Sequence, residues 1–414
     1  MDARTRNRGR RPVSRAGDVR RGGWLMPFSP LFHRLLDRID RGLEVGGIDA
    51  TLPDGTHRLL GGRRDGPVPI VHVANWRALV RLATGGSAGW YEAWAAGDWS
   101  SPDPVPLFDL FMRNRRSLGQ AAWAKRWSKG LRRVQHLLRG NSPKRARANI
   151  AYHYDLGNDF YEPWLDTGMT YSSALFPHAG MTLEEGQAAK IAAVLDRTGT
   201  VPGDTILEIG CGWGSFAEAA VAGGRRVHGI TLSTEQRDYA RGRMPGAEFT
   251  LTDYRAVTGT YDAVASVEMV EAVGREYWPA YLATIARVLK PGGRAAIQLI
   301  TIDDAIFESY AANVDFIQQY VFPGGLLIAV REFRALAERH GLAWRDREAF
   351  GIDYAATLRM WRERFDAAYA EGRLPPEFDR DFVDLWRYYL MYCEGGFRGG
   401  GIDVVQVTLV KERA

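Results

Sequence analysis

Only two cysteines occur in 414 residues, Cys211 and Cys393. That number makes neither a disulfide framework nor a four-ligand zinc site, and no metal is expected, while a single bridge between the two is left open. No apolar run approaches the ~20 residues a spanning helix needs, so the chain reads as soluble. The Arg-rich N-terminus leads into "WLMPFSPLF", too short and too broken by proline to be the apolar core of an export signal. The cytoplasm is the expected compartment. Acidic residues are missing altogether from residues 112–147, where twelve Lys or Arg accumulate, and residues 1–25 carry eight Arg against Asp2 and Asp18. These two segments hold +18 of a formal net charge of +5, leaving −13 elsewhere: a mildly acidic body with two basic patches.

What is present is the material of a core. A hydrophobic content of 46% and 13 Trp define a globular chain, and its length suits one large domain and one smaller one. Residues 1–25 read as a basic disordered tail. Residues 26–112, with short runs such as "IDATLPDG", "VPIVHVAN" and "GWYEAWAAGDWS", read as a small α+β domain. Residues 113–147 place Trp123, Trp127, Leu131, Val134 and Leu138 at three- and four-residue steps among cations, the pattern of a basic amphipathic linker helix. Such a helix either docks on its own protein or meets an anionic surface, a lipid headgroup layer or a nucleic acid.

From residue 148 to the end, β-rich runs alternate with helical patterns: "TILEIG", "RVHGITL", "AEFTLTD", "DAVASVEM" and "RAAIQLIT". That alternation predicts an α/β fold with a doubly wound parallel sheet. The first run ends in "LEIGCGWGSF", where Glu208 precedes Gly210, Gly212 and Gly214. Glycines at a strand-to-helix turn let a ligand approach the backbone, although many such turns are glycine-rich for packing alone. The spacing E-x-G-x-G-x-G differs from the dinucleotide pattern and is that of S-adenosylmethionine methyltransferases. Thr231, Leu232 and Gln236 at the end of the second strand, and Asp253 and Tyr254 at the end of the third, complete the expected cofactor set. The acid that usually ends the second strand is missing. In the fourth run, "SVEMVEAVG" sets Glu268 and Glu271 three residues apart in an apolar context, where a carboxylate needs a partner or a task.

Several motifs together, "HYDLGNDFYEPWLDTGMTYSSALFP", "LEIGCGWGSF", "ITLSTEQ", "SVEMVEAVG", "GIDYAATLRMWRERF" and "YYLMYCEGGFRGGGIDVVQ", resemble the cyclopropane-fatty-acyl-phospholipid synthase family over roughly residues 148–410. The resemblance implies a Rossmann-like class I methyltransferase behind a small N-terminal lipid-binding-type domain. It also implies transfer of a methyl group to a cis double bond in a phospholipid acyl chain, and a bicarbonate ion acting as base. Carried over, the glutamate holding that ion falls on Glu271, the tyrosine on Tyr354 and one cysteine on Cys393. The other cysteine position is Ser173, and the usual histidine is Gln298. An imidazole can shuttle a proton, whereas a carboxamide can only donate and accept hydrogen bonds, so a methyl-branched or methylene product stands beside the cyclopropane. Tyr171 and Ser172 match positions that touch the cofactor. Tyr154, Phe160 and Tyr161 either line an acyl tunnel or form a hydrophobic plug. Glu268 is read as orienting a neighbouring loop.

The implied partners are an unsaturated phospholipid and an anionic membrane surface, met from the cytoplasmic side by a peripheral protein; a homodimer is an allowed assembly. A nucleic-acid methyltransferase would account for the basic helix, but no aromatic-basic RNA platform and no amine-targeting "DPPY"-type tetrapeptide follows the fourth strand, so no nucleic-acid partner is expected. A binding protein that has lost catalysis would account for Gln298.

Overall fold

The computed structural model describes residues 29–121 and 156–413, with 119–121 described by backbone only. Tyr154 and most of the expected basic helix lie outside these residues. The chain divides into two compact units that a single cut cannot separate: Pro375–Tyr392 groups with the N-terminal residues, and Cys393 onward groups with the segment that ends at Leu374. The sequence alone predicts one continuous catalytic domain over 148–414, whereas 375–392 belongs to the other unit. No helix among the described residues is long and apolar enough to cross a membrane.

The first unit is α+β. Strands β1 (Gly47–Thr51), β2 (His57–Gly61), β3 (Ile70–Val73) and β4 (Trp99–Ser100) form a sheet in the order β2-β1-β3-β4. Alternate residues Ile48, Ala50, Leu60, Val71 and Val73 are buried, as expected where one face of a sheet meets a core. Aromatic rings fill that core. Trp90 stacks on Trp99 with centroids 4.4 Å apart, and Trp99 Nε1 donates to the Trp90 carbonyl at 2.9 Å. Tyr388 joins it by edge contacts with Tyr91 at 5.0 Å and Phe108 at 5.3 Å, which is the packing that returns Pro375–Tyr392 to this unit.

The second unit carries an eight-stranded sheet. Strands β5 (Thr205–Ile209), β6 (Arg226–Thr231), β7 (Glu248–Leu251), β8 (Tyr261–Val267), β9 (Leu289–Ile302), β11 (Leu342–Ala349) and β12 (Ile402–Lys411) run in the order β11-β12-β9-β8-β5-β6-β7, and β10 (Ile328–Ala329) pairs with β9. The five strands expected from sequence are parallel to one another, but β12 is antiparallel to β9 and β11 to β12, so the sheet is mixed rather than wholly parallel. Alternation along the central strands divides their side chains between two cores. Ile206, Ala263, Ala265 and Ala296 join Phe216, Ala240 and Phe249 in one cluster. Leu207, Ile209, Val264 and Ile297 join Trp278, Tyr281, Leu282 and Phe333 in the other. A sheet apolar on both faces and covered on both by helices is the doubly wound arrangement, and its ligand crevice opens where strand order reverses, here beside β5.

Two local features aim the chain at that crevice. The helix Leu183–Thr198 starts with a reciprocal cap between Thr182 and Glu185 and stops at Gly199 in the left-handed region, which fixes its ends. Immediately after β8, Glu268 is held at φ 48°, an uncommon conformation for a residue with a side chain. Its amide donates to the Gln298 carbonyl at 2.8 Å, so the strained residue is tied to the neighbouring strand.

Candidate active site

A cavity lies beyond the carboxyl ends of β5, β6 and β8. Its wall includes Tyr171, Ser172, Glu208, Gly210, Gly212, Thr231, Leu232, Gln236 and Tyr254, all expected from sequence. Gly214 and Asp253 do not line it. Gly214 starts the helix Ser215–Ala222, and a Cβ there would press on Met244 and Ala240 at 3.1 and 3.2 Å, so its smallness serves packing. Asp253 accepts from Arg255 Nε at 2.8 Å and Nη2 at 2.6 Å; burial alone would raise its pKa, and the guanidinium more than offsets this, holding it below the ordinary value. The wall also includes Glu268, expected only to orient a loop, and Lys190, Trp213 and Met269, to which the sequence assigns no role.

The glycine turn differs residue by residue. Gly212 has φ 51°, and a Cβ added there would meet nothing within 4 Å, so it faces open space. At Gly210, with φ 82°, a Cβ would lie 2.7 Å from Met269 Cγ, so glycine is required for close packing under the cavity floor. Where the usual acid of the second strand is absent, Thr231 Oγ1 donates to Gln236 Oε1 at 2.9 Å, which leaves the Gln236 amide nitrogen as the donor this pair offers a ligand. Glu208 is buried, its Oε2 has no hydrogen-bond partner, and burial pushes its pKa well up, with Lys190 pulling the other way. An orphaned buried carboxylate oxygen facing a cradle of glycine backbone suits a cationic ligand group beside a nucleoside.

Part of the cavity wall is built around Glu268. Its Oε1 accepts from the Ser173 amide at 2.9 Å and from Gln298 Nε2 at 2.8 Å, and its Oε2 accepts from Tyr354 OH at 2.8 Å. Burial raises the pKa of this carboxyl, and the three donors and the charge of Lys190 pull it back. Gln298 is fixed at its other end too, because Gln406 Nε2 donates to its Oε1 at 3.0 Å across the β9–β12 pair. The serine in place of cysteine costs this shell nothing, since the backbone amide makes the contact.

The grouping of these side chains differs from the expected one. Tyr354, Ser173 and Gln298, expected to gather around Glu271, instead gather around Glu268. Glu271 lies one turn further on, where its Oε1 accepts from the Ile300 amide and its buried Oε2 has no partner. Burial first, and then the neighbouring Glu268, push the Glu271 pKa up to about 8. Two signals in the sequence bore on this: Glu268 ends the strand directly, and a strand end points at the crevice.

Cys393 is not among the atoms bonded to Glu268. Its thiol is pushed up by burial and by Asp315, and it is free, as is the buried Cys211. Phe160 and Tyr161 do not line the cavity; they are wholly buried in an aromatic cluster, with Tyr161 at 5.2 Å from Trp213 and 5.4 Å from Tyr171. Tyr171 stacks on Trp361 at 5.2 Å and carries that cluster to the cavity wall.

The reversal of strand order at β5, the glycine turn and the Thr231–Gln236 end of β6 define an S-adenosylmethionine-dependent methyltransferase of class I, and the wall fits that cofactor. Comparison with known proteins narrows the class. Residues 141–407 match the model of the mycolic acid cyclopropane synthetase family, and the chain belongs to that family. It is 38% identical over 370 residues to the tuberculostearic acid methyltransferase UfaA1 of Mycobacterium tuberculosis, covering 85% of each chain. It is 34% identical over 344 residues to the cyclopropane-fatty-acyl-phospholipid synthase of Escherichia coli, covering 82% of this chain and 87% of that one. Among solved structures, the cyclopropane synthase MmaA2 from Mycobacterium tuberculosis aligns with a TM-score of 0.60 and 29% identity over 64% of this chain and 98% of its own. The mycolic acid cyclopropane synthase CmaA1, complexed with SAH and CTAB, aligns with the same TM-score and 30% identity over the same shares.

Proposed function

We propose that the chain methylates the cis double bond of an unsaturated acyl chain carried on a phospholipid, and that the Glu268 carboxylate takes the proton the product must lose. The observation that carries this reading is the clasp of three donors on a carboxylate at the cavity wall. When bound, S-adenosylmethionine supplies an electrophilic methyl on a sulfonium. An alkene is a weak nucleophile, so the site has to align it, keep water out and stabilise a cation on the carbon beside the new bond. Glu268 supplies fixed negative charge, and Tyr171 with Trp361 behind it supplies aromatic surface. A C–H bond of the transferred methyl then breaks, its proton passes to Glu268, and its electron pair closes a three-membered ring. Because the chain's own carboxylate fills the shell of Ser173, Gln298 and Tyr354, a separate bicarbonate is not required there.

A second reading shares every residue. If hydride moves from the methylated carbon to the cation before the proton leaves, the same base yields a methylene branch. Gln298, hydrogen-bonded at both ends, relays no proton in either reading. Names among the relatives point both ways, to a cyclopropane synthase and to a tuberculostearic acid methyltransferase.

The test uses cofactor with a fully deuterated methyl, vesicles of monounsaturated phosphatidylglycerol or phosphatidylcholine, and gas chromatography with mass spectrometry of the acyl esters. Two retained deuteriums mean a ring or a methylene group, which fragmentation separates; three mean an intact methyl. Faster turnover on the anionic vesicles, lost at high salt, supports a peripheral encounter of the basic segments with the membrane face. Label in tRNA or in a headgroup, with none in acyl chains, overturns the reading.

A further inference from the structure

The cofactor cavity contains a buried cation that neither the glycine turn nor the carboxylate clasp accounts for. Lys190, on the helix Leu183–Thr198, is 1% exposed, lines the cavity, and is the one Lys or Arg buried to this degree among the described residues. Its Nζ donates to Ser172 Oγ at 2.7 Å, and Ser172 lines the same wall. An ammonium has three N–H donors, and among the described residues only that one is matched. Burial pulls its pKa down to about 8, opposed by the charges of Glu268, Asp166 and Glu208.

A lysine placed there is costly unless an anion is part of the working state. The amino-acid end of S-adenosylmethionine carries one carboxylate and one ammonium. The wall offers the complement of each: unspent N–H donors on Lys190 and the unpartnered Oε2 of Glu208. We propose that Lys190, aimed by Ser172 Oγ, binds the carboxylate of the cofactor's amino-acid end and so selects the intact cofactor over its decarboxylated form. The role rests on the cofactor assignment and is independent of the lipid reading. A lysine kept only to balance Glu208, Glu268 and Asp166 would show no preference between ligands that differ in a carboxylate.

Calorimetry on the full chain separates these roles, with S-adenosylhomocysteine and its decarboxylated counterpart as ligands. The wild type is expected to bind the decarboxylated ligand about tenfold or more weakly, the scale of a lost charge-assisted pair. Lys190→Met is expected to weaken S-adenosylhomocysteine by a similar factor while leaving the decarboxylated ligand nearly unchanged. Equal weakening of both ligands by Lys190→Met overturns the proposal. Should that variant fail to fold, the wild-type ratio decides: equal affinities overturn the proposal, and discrimination retained in Lys190→Arg supports it. Failure of the wild type to bind either ligand overturns the cofactor assignment instead.

Discussion

Glu268 and Glu271 are the same residue type, three positions apart, both turned into protein, and their surroundings set them to different states. Around Glu268 the chain brings a backbone amide, a carboxamide N–H and a phenol O–H, with Lys190 nearby, so the ionised form is the one the groups address. Around Glu271 one backbone amide serves one oxygen, the other oxygen is bare, and the nearest charge is a second carboxylate. Burial raises both. Donors that address the charged form oppose this rise at Glu268 more than at Glu271. A carboxylate is therefore placed in a mechanism by counting what points at it, and its position in a motif is a weaker guide.

The sharpest break in this comparison is Glu268→Gln. The shape is kept and the charge is lost, and the amide nitrogen must face a donor in place of an acceptor. Product formation is expected to fall by about three orders of magnitude or more, with cofactor affinity changed little, as for an interaction made mainly in the transition state. Single-turnover label transfer measures the first and calorimetry the second. Wild-type turnover in a folded Glu268→Gln protein would return this residue to the loop-orienting role that its sequence context suggests.

A control that spares both carboxylates comes next. Gly212 faces open cavity at a positive φ, so Gly212→Val inserts a branched side chain into the space and strains the turn. Cofactor affinity is expected to fall about a hundredfold or more while the fold persists, measured by calorimetry beside circular dichroism. Unchanged affinity would move the cofactor away from the glycine turn.

Much of this architecture was legible because local patterns and tertiary packing agree. The five β-rich runs become the five parallel strands, since a strand buried on both faces reads as an apolar run whatever its neighbours are. The strands β11 and β12 that turn the sheet mixed were not legible as such, because antiparallel addition at an edge depends on which partner is free. At the site, Glu208 and the glycine turn stood out through spacing. Lys190 did not, since a lysine on an amphipathic helix ordinarily faces water and nothing local marks this one as turned inward. Gln406 was hidden for a related reason: its importance arises from register, which sets it opposite Gln298 across two strands distant in sequence. That Tyr354, Ser173 and Gln298 bond Glu268 and not Glu271 was hidden for the same cause, because a motif preserves positions along the chain while hydrogen bonds are made in space.

The mildest change should be Glu271→Gln, and it sharpens the comparison from the other side. With its pKa raised to about 8, Glu271 is protonated at neutral pH, and glutamine reproduces a neutral acid in size and in its acceptor for the Ile300 amide. Turnover is expected to stay within about tenfold of wild type, far above the loss in Glu268→Gln. Stability supplies the independent measurement. Between the ordinary glutamate pKa of about 4.3 and the folded value of about 8, the folded chain holds a proton that the unfolded chain has released. Folding stability from this group is therefore full below the lower pKa and is lost as pH rises through the upper one, by at most about 1.4 kcal/mol per pH unit, and by less where solvent reaches the residue. Glu271→Gln has no proton to lose. Urea denaturation at pH 5 and at pH 8.5 should show the wild type losing ground to the variant as pH rises. Parallel curves would mean that Glu271 ionises normally, and the two carboxylates would no longer be distinguished by their charge.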